Sequence, residues 1–337
     1  MKKKTAIILF LINLCIVSYS LNINAGGALT TSTYGGLVPA GLVPTLVNTI
    51  LFDYAYALDN IFSQTTDSFN LTMANTTSIG DIKIKRFTIG ANVHAASSVN
   101  LSKPVNSAAG GLPSIGGGAN ASVLFGMSLG KKWDLLFSAS YVPYTTLYDI
   151  KFRIFSGGTT IRYSYRKKNA SNFAGYQGLS IALGGFFSYN NVSYKNTGIN
   201  KSSTYDTGVP IVGAETGILE VKTLDFSGKI YVITADIDVR FYFKVFYILN
   251  LFASVGGSIN FSYLNSNGLT EAENTINGVT ETGNINFSGK SYASKITPKI
   301  TGGFELNLVV RILVQGNISW TKGNTLYGAT CGFRFQF

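Results

Sequence analysis

The chain has 337 residues, of which 46% are hydrophobic, 13% aromatic and only 13% charged, with 37 glycines, 23 phenylalanines and 19 tyrosines. That is about half the charge of an ordinary soluble domain, too little for a water-facing surface and suited to a wall that faces lipid. The formal net charge is +11, but Lys and Arg form no compact cluster, which argues against nucleic acid as a partner.

Residues 1–25 read as a secretory signal peptide. Lys2, Lys3 and Lys4 precede an apolar run over 5–17, followed by small residues that permit cleavage after Ser20 or after Ala25. The run is shorter than the roughly 20 apolar residues a spanning helix needs. Cys15 would leave with the signal, so Cys331 has no partner for a disulfide and no Cys-based metal site can form.

Residues 26–80 do not alternate. A lead-in broken by Gly and Pro at 35–44 is followed by a helical pattern near 45–63, where Ile50, Leu51, Tyr54, Leu58, Ile61 and Phe62 recur at three-to-four spacing. Such a segment is expected to plug a barrel lumen or pack on its rim; the alternatives are a helix lying on the membrane interface or a spacer.

From 81 to 337 the period is two, the signature of strands with one apolar and one polar face. Phe87, Ile89, Ala91 and Val93 oppose Thr88, Gly90, Asn92 and His94, and the pattern recurs along the chain. The clearest run sets Tyr231, Ile233, Ile237 and Phe241 outward and Asp236, Asp238 and Arg240 inward. The expectation is an all-β, antiparallel up-and-down transmembrane barrel of about ten strands, with twelve to fourteen as the alternative. Long outer loops are expected near 98–118, 144–157, 193–227 and 264–289, joined on the other side by short turns. A ten-stranded barrel leaves little interior room, so a helix inside would favour the higher count.

Inward charges are expected at Arg162, Arg166, Asp236, Asp238, Arg240, Lys244, Lys295, Lys299, Glu305, Arg311 and Arg334, with Asp134. The cations outnumber the acids. An aqueous path would therefore favour anions; in a closed barrel the same residues would form a packed ion-pair network. His94, near Ser97 and Ser98, is the one candidate for catalysis, and a lone His with a nearby Ser is insufficient for a triad. Asp236 and Asp238 lack the further oxygens of a calcium site. No metal, cofactor or enzymatic activity is expected.

The last strand settles the broad class. Tyr327, Ala329, Cys331, Phe333, Phe335 and Phe337 share one face, and the stretch stops on Phe. Here the chain resembles bacterial outer-membrane β-barrels, in which a final strand of this kind is the signal read by the insertion machinery. The resemblance implies residence in the bacterial outer membrane and contact with lipid, lipopolysaccharide or its equivalent, and the assembly machinery. The layout of helical segment then barrel is similar to that of fatty-acid transport barrels and of spirochaete surface adhesins. With the basic lumen, the expected function is passive or plug-gated passage of small anionic or amphipathic solutes; the alternative is a surface adhesin or structural barrel that binds host or matrix ligands through its outer loops.

Overall fold

Among the described residues twelve antiparallel strands follow one another along the chain, and ten of them close a ring. In the computed structural model, residues 66–99, 115–147, 150–168, 173–198, 200–206, 216–276, 279–321 and 324–337 are described. The strands are β1 (Phe87–Val99), β2 (Ile115–Ser128), β3 (Trp133–Leu147), β4 (Ile150–Arg166), β5 (Ala174–Asn196), β6 (Lys201–Asp206), β7 (Thr216–Val221), β8 (Leu224–Val245), β9 (Leu249–Ile276), β10 (Val279–Asn307), β11 (Arg311–Thr321) and β12 (Asn324–Gln336). Neighbours pair from β1 round to β5, then β5 with β8, β8 with β9 and on to β12, which pairs with β1 and closes the barrel. Closure leaves no open edge at this level. At the seam, the N–H groups of Arg86 and Phe87 donate to the Phe337 carbonyl, and Phe337 returns its own N–H to Phe87. The remaining pair, β6 and β7, forms a hairpin that joins the ring through β9.

The outer surface is a lipid-facing belt. Ile233 is 59% exposed while its neighbour Val232 is fully buried, and the same alternation runs through β8. Exposure of so much apolar surface has no place in water. An aromatic row marks the belt's outer edge: Tyr141, Phe155, Tyr189, Tyr231 and Tyr263 stand opposite one another on adjacent strands. The rings of Tyr189 and Tyr231 lie 5.1 Å apart, and those of Tyr231 and Tyr263 6.0 Å. A second aromatic group marks the turn end, where Trp133 meets Tyr163 at 4.9 Å and Tyr176 meets Phe243 at 5.4 Å. From Tyr231 to Phe243 the strand runs about 40 Å at ~3.3 Å per residue. At a tilt of about 40° this spans about 30 Å, close to a bilayer's hydrocarbon thickness. The described strands thus form a β-barrel whose outer face suits lipid.

Beyond the aromatic row the strands do not stop, and here the sequence-based expectation fails. The segments expected as loops at 144–157, 193–227 and 264–289 are largely paired strand. β3 and β4 run on to Leu147 and Ile150, and β9 and β10 stay in register to Ile276 and Val279. The reason is an inversion of polarity. Below the row the outward residues are apolar; above it Lys229, Ser227 and Asp225 face out on β8 while Ile230, Phe226 and Leu224 are buried inside. Polar composition on the outer face looked like loop, because lipid no longer lay outside. β9 continues thirteen positions past Tyr263 to Ile276, about 40 Å of strand. β7 takes over from β8 as its neighbour there, and Lys222 clips the junction at 2.8 Å from Glu220 and 3.2 Å from Glu273. The hydrogen bond that Lys222 donates to the Glu220 carboxylate holds its ammonium above its usual pKa.

Candidate functional site: the filled lumen

Just upstream of β1 lies a short helix, α1 (66–73), followed by turns and an extended stretch to 86. Every residue from 66 to 80 is buried. The sequence Asn-Leu-Thr-Met-Ala-Asn-Thr-Thr-Ser over 70–78 ends the helix with side chains that satisfy its last carbonyls, as C-terminal helix groups require. Thr72 Oγ1 donates to Phe69, Asn75 Nδ2 to Leu71 and Thr76 Oγ1 to Met73, at 2.7–2.8 Å. The stretch that follows descends inside the ring and is hydrogen-bonded to strands on all sides. Thr76 Oγ1 lies 2.7 Å from Ser138 Oγ on β3, and Thr77 Oγ1 lies 2.7 Å from Thr160 Oγ1 on β4. Asn92 on β1 donates to the Thr76 carbonyl, and Ser78 donates to Gln315 on β11.

The ion pairs sit lower, towards the turn end. Asp134 accepts from Lys83 of the inner segment and, at 2.6 Å, from Arg162 of β4; Arg162 also donates to the Asp81 carbonyl at 2.7 Å. Glu305 of β10 accepts two hydrogen bonds from Arg334, at 2.5 and 3.0 Å, and one at 2.9 Å from the Gly80 N–H. Arg311 reaches Asp81, with Glu305 at 3.4 Å. Arg240 donates to the Ile79 carbonyl at 2.8 Å and to Ser78 at 3.0 Å, with Asp238 at 3.3 Å. Lys299 holds both oxygens of Asp236 at 2.8 Å, and at the upper end Lys295 holds both oxygens of Asp67 at 2.9 Å. Burying these charges singly would be costly; here each is paired, in a network from Asp134 through Asp81 to Glu305 and in the separate pairs Arg240–Asp238, Lys299–Asp236 and Lys295–Asp67.

Arg162, Asp236, Asp238, Arg240, Lys295, Lys299, Glu305, Arg311 and Arg334 thus meet in the network and these pairs, whereas Arg166 and Lys244 stand at the mouth. Strand periodicity marks wall residues alone; Asp67 and Asp81 of the inner segment offset the apparent excess of lumen cations. No periodicity marks those two, since neither lies on a strand. Tyr327, Phe333, Phe335 and Phe337 are exposed on the lipid side of β12. Ile50, Leu51, Tyr54, Leu58, Ile61 and Phe62 lie outside the described residues. His94 is buried in the wall, Nδ1 at 3.0 Å from Thr330 Oγ1 and Nε2 at 3.1 Å from Ser122 Oγ.

The ring accommodates a chain segment because its inner face is lined by small residues. Below α1 the segment that fills the ring is turn and extended chain, whereas the helix expected at 45–63, which would favour a higher strand count, lies outside the described residues. Ser138, Ser140, Gly158, Ser180, Gly184, Ser254, Ser258 and Thr301 replace the large side chains that fill a barrel of this size. A Cβ on Gly126 would stand 2.8 Å from Ile84 Cδ1, and one on Gly80 would stand 2.5 Å from Glu305 Cβ. Beside the segment remains a cavity of about 40 Å³, bordered by Thr77, Arg162, Asp236 and Arg240, room for about three waters. Below it a vestibule of about 540 Å³ opens at the turn end, with Lys83, Lys85, Lys131, Arg166, Lys244 and Arg311 around it.

A family model described as Lsa36-like matches residues 45–337, the inner segment and the whole barrel. The chain belongs to the Lsa36-like family. No curated protein matches it. Similar solved structures include the attachment invasion locus protein Ail of Yersinia pestis (8% identity, 75% of this chain and 100% of that one, TM-score 0.28). The translocator domain of autotransporter NalP from Neisseria meningitidis aligns at 10% identity over 81% and 96%, TM-score 0.37. A Pseudomonas aeruginosa FadL homologue aligns at 8% over 81% and 98%, TM-score 0.28. This Lsa36-like chain shares with them the barrel architecture alone.

Proposed function

We infer that this Lsa36-like protein is a closed, surface-display barrel: the belt anchors it, the inner segment stiffens it, and the sheet beyond the aromatic row binds host or matrix ligands without catalysis. The observation that carries this reading is the combination of a lumen occupied by a segment bonded to strands all round the ring with about 40 Å of paired strand projecting past the belt. The projecting part is polar outside and presents the backbone edge of β6. Its acidic residues, such as Glu220, Asp225, Glu271 and Glu273, offset its lysines, so extended protein surfaces suit it better than polyanions. Deletion of residues 266–289 tests this. The variant should insert and keep its heat-modifiable mobility yet lose binding to matrix proteins; unchanged binding would refute the reading.

Plug-gated passage of small anions is the second reading, and the vestibule favours it. Lys85, Lys131, Arg166 and Lys244 carry no ion pair among the described residues and would concentrate anions at the turn end. Planar-bilayer recordings separate the two. Anion-selective steps in the unaltered protein support passage; silence supports a closed barrel.

A further inference from the structure

The vestibule at the turn end is blind. Above it, between residues 76 and 80, the inner segment bonds to β3, β4, β8, β10 and β11, and the space left beside the segment is about 40 Å³. The vestibule itself holds about 540 Å³, within the roughly 300–1,000 Å³ of small-ligand sites. Its charge is one-sided. Asp81, the acid among its lining residues, is held by Arg311, whereas Lys85, Lys131, Arg166 and Lys244 line it without an ion pair among the described residues.

One wall of the vestibule is built for an anion. Arg166 ends β4, Lys244 stands one residue from the end of β8, and β5 runs between those two strands. The pairing of β5 with β8 shifts register between Tyr176 and Gly178, and Gly178 has a φ of 139°. The extra residue of such a bulge leaves the ladder and its side chain is re-aimed. That residue is Gln177, which is buried and borders the vestibule, its carbonyl fixed at 2.9 Å by the Lys167 N–H. Two cations flanking an amide suit a phosphate, whose oxygens accept charge-assisted hydrogen bonds.

The rim beside this wall is apolar. Phe246, Tyr247 and Ile248 form the turn from β8 to β9, and each is more than half exposed. The Phe173 ring lies 5.3 Å from that of Phe246 and 5.7 Å from that of Tyr247. The Asn307 N–H donates to the Ile248 carbonyl at 2.6 Å, which brings the exposed Leu308 and Val309 alongside. Phe246 has a φ of 55°, a conformation uncommon for a bulky side chain. Phe243, three residues earlier, belongs to the lipid-facing belt, and Tyr247 borders the vestibule. Apolar surface thus leads from the belt, over the turn, to the mouth of a basic cavity.

We propose that the vestibule is a headgroup site for one acidic phospholipid of the adjoining leaflet: its phosphate lies between Arg166 and Lys244 beside Gln177, and its acyl chains cross the lip of Phe246, Tyr247 and Ile248 into the bilayer. A soluble anion would use the cations and leave the lip idle; a membrane lipid uses both. Cations without ion pairs select a headgroup of net negative charge over a zwitterionic one. The site does not depend on what the projecting sheet binds.

Native mass spectrometry of the full chain, folded in detergent with equal amounts of phosphatidylglycerol and phosphatidylcholine, provides the test. One phosphatidylglycerol per chain should be retained in preference to phosphatidylcholine. Arg166→Gln combined with Lys244→Gln should weaken that retention by roughly tenfold or more, at about fivefold per cation. Phe246→Asn, a residue that tolerates positive φ, should weaken it as well. Both variants should keep the heat-modifiable mobility of the folded barrel, since neither touches the inner segment's hydrogen bonds. Equal retention of the two lipids, or unaltered retention in the double variant, would overturn the proposal. Glycerol phosphate, the headgroup without its chains, decides the source. In equimolar amount it should leave the lipid in place; displacement, or full retention by Phe246→Asn, would make a free anion the ligand and overturn the lipid.

Discussion

Glu305 shows at the level of one residue why the lumen is polar and yet stable. Its carboxylate is fully buried and is shared by Arg334, Arg311 and the Gly80 N–H. Removing one member of a buried pair leaves an uncompensated charge, which costs about 3–5 kcal/mol. Glu305→Ala should therefore lower the unfolding free energy of the detergent-solubilised barrel by that order and so its unfolding midpoint, and Glu305→Gln by less, as read by the loss of heat-modifiable mobility. Gly80 is constrained in a different way. A Cβ there would meet Glu305 Cβ at 2.5 Å and Phe252 Cε1 at 3.1 Å, so Gly80→Val should cost about 1–3 kcal/mol by overpacking and loosen the segment above the vestibule. Protease sensitivity near residue 80 in detergent reports that loosening; unaltered resistance would mean the wall yields instead.

At the level of the element, the long β9–β10 hairpin illustrates how one strand serves two solvents. Up to Tyr263 its outward residues include Leu251, Val255 and Phe261; beyond it they are Asn265, Asn267, Leu269 and Glu271, while Leu264, Ser266, Thr270 and Ala272 turn inward. A strand's two faces swap roles when the medium outside changes from lipid to water. Ile233→Lys, in the belt of β8, should impair membrane insertion, since a Lys at mid-belt costs about 2–4 kcal/mol. Lys229→Ile, only four residues away but above the row, should leave insertion unchanged. Folding into lipid vesicles, followed by the heat-modifiable band, measures both; equal effects would place the membrane boundary elsewhere.

For the whole molecule, the inner segment converts a ring into a filled body. Its bonds reach residues far apart in sequence, such as Ser138, Arg240 and Gln315, so barrel and segment should unfold together rather than in steps. Shortening the segment by deleting 74–80 should give an inserted barrel that conducts in planar bilayers, whereas the unaltered chain stays silent. Silence from the deleted form would mean that other parts of the chain fill the lumen.

Local pattern alone was enough for the architecture. A period of two, an aromatic final strand and a paucity of charge sufficed for a ten-stranded barrel and for which side of each strand faces lipid, because lipid imposes a local rule on every outward position. His94, Asp236 and Arg240 were legible as inward residues for the same reason. What the inward residues meet is set by the closed ring and not by local pattern. Asp67, Asp81 and the Ile79 carbonyl neutralise and bind wall cations from a stretch with no periodicity, and the strands above Tyr231 and Tyr263 carry an inverted pattern that reads as loop. Both depend on partners brought together across the ring, where no local rule acts.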